Sequence, residues 1–115
     1  MKRVYVAGAI SCDHSVGYLD NIRRGMKLSY EVLKAGFAPF VPFFDYHFSL
    51  MGPMSEEEYY GYSMAWLEAC DAVIVVNEGW EESVGTVREI ARARELGMPV
   101  FFSLEGLNSW VFRDG

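Results

Sequence analysis

Apolar residues along this chain follow two rhythms, unbroken runs and rows at spacings of three or four, and the two alternate from end to end. Residues 3–8 (RVYVAG) are rich in β-formers and end in glycine, which suits a buried first strand. From Ser15 or Val16 to Ala35 the spacing turns helical. Val16, Leu19, Ile22, Met26, Ser29 and Leu33 share one face, leaving Arg23, Arg24, Lys27 and Glu31 to the others. Gly36 stands where a left-handed residue ends a helix. Residues 37–43 (FAPFVPF) read as a second strand, and Pro39 and Pro42, which cannot donate ladder hydrogen bonds, assign it to a sheet edge.

Ser55 followed by Glu56, Glu57 and Glu58 reads as an N-cap with an acidic first turn. The helix it opens runs to about Ala69 and buries Tyr59, Tyr62 or Ser63, Trp66 and Leu67. After Asp71 the chain is continuously apolar to Val76, as a central strand of a parallel sheet would be. A third helix runs from Val84 to Leu96, stops at Gly97-Met98-Pro99, and leads to a fourth strand over residues 100–103. The tail, with Leu107, Trp110, Val111 and Phe112, can supply a short helix, a fifth strand or an interface segment. Alternation of strand and helix predicts an α/β fold: a Rossmann-like, doubly wound parallel sheet of four to five strands in a three-layer α/β/α sandwich.

At 115 residues the chain makes one domain, and 51% apolar residues supply a packed core. A net charge of -6, with no basic run beyond Arg23-Arg24, argues against a nucleic-acid surface and leaves room for a small anion held by backbone amides. Cys12 and Cys70 form no CxxC pair, and with only two histidines they make no zinc pattern, so they read as free thiols. No apolar run approaches the roughly 20 residues that cross a bilayer. The apolar stretch before Cys12 is short and interrupted by Gly8, a poor match to a lipoprotein signal. The chain reads as cytoplasmic, with no membrane partner.

The chemistry concentrates in residues 79–89 (GWEESVGTVRE), between the apolar third strand and its helix. A strand, a loop with glycines and a hydroxyl residue, then a helix presents backbone N–H groups to an anion, with Ser83, Gly85 and Thr86 at the contact point. Phosphate loops need no carboxylate, yet Glu89 stands in the first turns of the helix. Helical side chains lean toward the N-terminus, so Glu89 points back at the loop, where the helix dipole favours its charged form. A carboxylate there can stabilise or attack an anomeric carbon losing a nucleobase. Alternatively, Glu89 is an exposed partner of Arg92 at i,i+3, and Ser83 only a helix N-cap. The turn after the first strand brings Gly8 and Ile10 to the sheet's ligand-binding end. Tyr5 either bonds the sugar or Glu89, or belongs to the core. Asp71 reads chiefly as a strand-entry residue, Arg23 and Arg24 as a solvated face unless one of them reaches a phosphate, and Trp80 as a lid or subunit contact. Asp45 and His47 lie on the loop that would cover a base.

Four segments together resemble the nucleoside 2-deoxyribosyltransferase superfamily, which includes deoxynucleoside 5′-monophosphate N-glycosidases. They are Tyr5-Val6-Ala7-Gly8-Ala9-Ile10, Ala69-Cys70-Asp71-Ala72-Val73-Ile74, the loop 79–89, and Ala93-Arg94-Glu95-Leu96-Gly97-Met98-Pro99-Val100. The resemblance implies a flavodoxin-like sheet and a glycosyl-enzyme formed on Glu89; the residues themselves offer Tyr5 as a helper and Asp45 or His47 as an acid, and the chemistry calls for no metal or other cofactor. Ser83 falls where the monophosphate hydrolases carry a phosphate-binding serine, which favours a nucleotide substrate. An Asp that the family often has in the preceding helix is Ser63 here. The resemblance further implies a homodimer or larger assembly, for which Trp80, Trp110 and Phe112 would suit contacts. Base exchange between nucleosides, a phosphoribohydrolase with a related glycine loop, and a non-catalytic nucleotide-sensing module stand as alternatives.

Overall fold

The computed structural model describes residues 1–9, 15–42, 48, 50–76 and 79–114, the last four of these as backbone only. Its elements are β1 (Arg3–Ala7), α1 (Ser15–Lys34), β2 (Ala38–Phe40), α2 (Glu56–Glu68), β3 (Ala72–Val75), α3 (Val84–Glu95), β4 (Val100–Phe101) and α4 (Leu104–Asp114), with a 3-10 turn at Trp80–Glu82. The strands form one parallel sheet in the order β2-β1-β3-β4, with Val4 beside Ala72 and Pro39, and Val73 beside Val100. The expected doubly wound sheet is present, with four strands among the described residues.

Strand alternation sorts the core into two layers. Tyr5, Ala7, Val73 and Val75 point to one face and pack on Met64 and Leu67 of α2 and on Ile90 and Ala93 of α3. Val4, Val6 and Ile74 point to the other, against Val32 of α1 and Leu107 of α4. Strand β2 lies at the edge as its prolines require, but spans only three residues. Strand β4 spans two, so residues 102–103 belong to the turn before α4. The tail is helix α4, and it closes the second face.

Chain direction is set at the helix ends. Gly36 (φ 100°) and Gly97 (φ 71°) take the left-handed conformation after α1 and α3. At the first, Phe37 N–H donates to Val32 and Gly36 N–H to Leu33, the double bond of a Schellman end; Met98 to Ala93 and Gly97 to Arg94 repeat it. Ser55 caps α2 reciprocally with Glu58, each donating a backbone N–H to the other's side chain at 3.1 Å. Asp71 accepts the Arg3 N–H at 2.7 Å, tying the entries of β1 and β3 together.

Two predicted helix faces differ from the observed ones. Helix α2 buries Met64 with Leu67, while Trp66 stays exposed and stacks on Phe40 with centroids 5.0 Å apart. Helix α1 turns Gly25, Ser29 and Val32 toward the sheet, not the larger residues of the predicted stripe. Small residues let the backbone of α1 approach the strands, so close packing overrides the row of bulkier apolar side chains. Among the described residues, no helix is long and apolar enough to cross a membrane.

If α4 closes the second layer, Leu107→Ala removes a wholly buried side chain and destabilises the protein by about 2–5 kcal/mol. Urea denaturation measures this, and a loss below about 1 kcal/mol would mean the tail is dispensable to the core.

Candidate active site

The topological switch point of this sheet lies between β1 and β3, whose following helices, α1 and α3, cover opposite faces. A cavity of about 930 Å³ opens there at the carboxyl ends of the strands. Gly8 and Ala9 contribute the end of β1, residues 83–86 the start of α3, and Glu89 the next turn of that helix. The left-handed Gly79 (φ 74°) turns the chain into the 3-10 segment that delivers Ser83.

Ser83 is the N-cap of α3. Its hydroxyl accepts from Thr86 N–H at 3.3 Å and from the Thr86 hydroxyl at 2.9 Å. Ser83 keeps its own proton for an acceptor in the cavity, so capping and anion binding are compatible. Thr86 is buried. Gly85 faces open space: a Cβ built there would meet no other atom within 4 Å. Packing does not exclude a larger residue at 85, and any added volume would enter the cavity.

The Tyr5 ring is wholly buried in the core, and its hydroxyl donates to a carboxylate oxygen of Glu89. Tyr5 therefore combines the core position and the Glu89 bond that the sequence offered as alternatives. Glu89 is half-buried, and the proposed surface pair with Arg92 does not form; Arg92 binds Glu68 at 2.8 Å and Glu95 at 3.1 Å. The expectation that the helix dipole would favour ionisation is outweighed. Glu89 is the sixth residue of α3, past the turn where the dipole acts, and burial pushes its carboxyl from 4.5 up to about 7 against the lowering effect of Tyr5.

Several lining residues carry no sequence signal. Arg88 lays its guanidinium 3.6 Å from the Tyr60 ring centre and 3.7 Å from Glu57, joining α3 to α2 at the cavity wall. These residues are far apart in sequence, so no local pattern marks them. Arg24 reaches the cavity from α1, whereas Arg23 is a solvated residue of the same helix. Ser63 lines the cavity from α2, so its position faces the site even though it carries no acid; Glu56 and Glu82 are further carboxylates on the wall. Ile10, Asp45 and His47 lie outside the described residues. Trp80 is no lid: it packs on the core layer of Tyr5 and against Phe102, with centroids 5.2 Å apart.

Over residues 2–102 the sequence matches the model of a domain of unknown function, DUF4406. The chain belongs to that family. No curated protein matches it. In this member of DUF4406 the match covers all four strands, the first three helices and every element that frames the cavity.

Because the Glu89 carboxyl holds its proton more tightly folded than unfolded, the folded state loses stability as pH rises from 4.5 to about 7. A rise of that size corresponds to about 3 kcal/mol. Glu89→Gln keeps an acceptor for Tyr5 and carries no charge. Its stability advantage over the wild type should be near zero at the acid end and approach about 3 kcal/mol above pH 7, read by urea unfolding across the range.

Proposed function

We propose that the protein is an N-glycosidase acting on a (deoxy)nucleoside 5′-monophosphate, releasing the base and a sugar 5-phosphate. The observation that carries this reading is the Glu89 carboxylate, held by the Tyr5 hydroxyl in the cavity that also contains the N-terminus of α3. One carboxylate and one anion cradle, a few residues apart on the same helix, match a ligand with an electrophilic carbon near a phosphate. The cavity volume lies within the range that small-molecule sites occupy. The resemblance of the loop 79–89 to the nucleoside 2-deoxyribosyltransferase superfamily supports the same assignment.

In this mechanism the phosphate takes the Gly85 N–H and the Ser83 hydroxyl, while the Thr86 N–H stays with the Ser83 cap. A Glu89 oxygen attacks C1′, the C1′–N bond breaks, and its electron pair leaves with the base, which takes up a proton. Water then attacks C1′, its proton passing to the group that protonated the base, and the C1′–O bond to Glu89 breaks, returning the carboxylate and leaving the hydroxyl on the sugar phosphate. Tyr5 donates to the carboxylate before attack and steadies its position. Glu56 or Glu82 could supply the proton that the family's Asp would provide where Ser63 stands. If neither does, Ser63 favours the second reading, a nucleotide-binding module without turnover.

Incubation with dCMP, dGMP, dTMP and dUMP separates the two. The enzyme releases free base, and Glu89→Ala lowers kcat by about 10³-fold or more; nucleotide binding without base release by the wild type supports the module. Glu89 must be ionised to attack, so kcat/KM rises with pH through an inflection near 7. Tyr5→Phe removes the bond that lowers the carboxyl's proton affinity, moving that limb to higher pH. Gly85→Ala, which gains up to about 1 kcal/mol of helix propensity, should leave stability unchanged or raised while KM increases.

A further inference from the structure

Helix α1 has twenty residues and is about 30 Å long, and its outward side carries a second apolar row. Val16, Leu19, Met26, Tyr30 and Leu33 are all exposed, with Val16 at 65%, Leu19 at 59% and Tyr30 at 62%. Single exposed hydrophobic residues are ordinary on protein surfaces. Here they fall at 16, 19, 26, 30 and 33, with Arg23 filling the remaining place of an unbroken a/d heptad series. A period of 3.5 residues belongs to a helix whose seam follows another helix, and it drifts off the sheet-facing side of a straight one. The sheet-facing residues Gly25, Ser29 and Val32 form a separate row, so the seam has no role in the monomer's core.

We propose that this seam pairs with a second copy of the chain, the two α1 helices running antiparallel about a two-fold axis between residues 24 and 25. In that register Val16 meets Leu33 of the partner subunit, Leu19 meets Tyr30, and Arg23 lays its aliphatic stem over Met26. Every layer joins an a position to a d position, and the same patch serves both copies, as a closed dimer demands. Charges beside the seam agree. Asp20 and Lys27 both occupy e positions, and antiparallel pairing sets each Asp20 beside the partner's Lys27, twice by symmetry. A parallel pair would instead oppose Arg23 to Arg23 in one layer. Two of the aromatic residues that the sequence offered for contacts are engaged within the chain: Trp80 packs on Phe102, and Trp110 lies against Phe101 and under the Lys2 ammonium at 4.2 Å.

The pairing does not rest on the proposed reaction, but it touches the same helix. Asn21 and Arg24 line the cavity from the flank of α1 beyond Asp20. On that side Lys27 also borders a groove with Ser103 and Leu104 at the start of α4, so the seam faces away from α4.

Sedimentation velocity of the full chain over the micromolar range should show a dimer in the wild type. Leu19→Glu with Tyr30→Glu should give a monomer with unchanged far-UV circular dichroism. Asp20→Lys should weaken the dimer and added Lys27→Asp restore it. In a background with Cys12→Ser and Cys70→Ser, mixing Val16→Cys and Leu33→Cys chains should yield a disulfide-linked pair that neither yields alone. A wild type that stays monomeric across the range, or a dimer that survives the double glutamate substitution, overturns the proposal. Linkage of either single-cysteine chain to itself overturns the antiparallel register.

Discussion

The site depends on a carboxylate kept out of water with a phenol hydroxyl for company. Burying Glu89 raises its proton affinity, and the Tyr5 hydroxyl recovers part of what solvent would have given the anion. Both groups are held by regular secondary structure at the core. Tyr5 stands in the middle of a five-residue strand that pairs on both sides, and Glu89 stands one turn into a helix packed on that strand's face. The bond spans 84 positions in sequence, so it forms only once the sheet and α3 have docked. Burying Glu89 costs stability as pH rises from 4.5 to about 7, because its ionised form is disfavoured in the folded state. The chemistry proposed for it needs that ionised state.

The remaining parts of the cavity serve to place an anion beside this carboxylate without placing it on top. Ser83 caps α3 and Gly85 leaves its first turn open, while Glu89 follows four residues after Gly85 on the same helix. Residues four apart on a helix share a face about one turn apart, a separation suited to two different groups of one ligand. Arg88, adjacent in sequence, is turned away onto Tyr60 and Glu57. A cation hydrogen-bonded directly to Glu89 would favour its ionised form, but it would also compete for the lone pairs needed for attack.

Much of this was legible in the sequence because it is local. Gly36, Gly97 and Ser55 announce helix ends through backbone conformation and capping, which neighbours in sequence decide. The apolar runs in β1 and β3 announce buried parallel strands, and Asp71 their entry. The order of motifs around Gly8 and Glu89 pointed to the carboxyl ends of the strands, where a cavity lies. What was missed is contact between distant residues. Arg88 on Tyr60, Trp80 on Phe102 and the raised proton affinity of Glu89 all depend on which surfaces meet, and no spacing encodes that. Asp45 and Ile10 lie outside the described residues and add nothing to this comparison.

Helix α1 shows how a correct periodicity can lead to the wrong face. The row chosen from Val16 to Leu33 mixes two stripes, since Ile22 and Ser29 belong to the side nearer the sheet and the others do not. Bulk was the misleading cue. Helix-to-sheet packing here is made by Gly25, Ser29 and Val32, whose small volume lets the helix sit close, and a hydrophobicity count undervalues glycine and serine. Once those three are assigned to the sheet, the larger residues stay exposed on the outward side of the helix. Their spacing then becomes informative, because five apolar residues and Arg23 keep the alternation of three and four that a heptad seam follows along the helix.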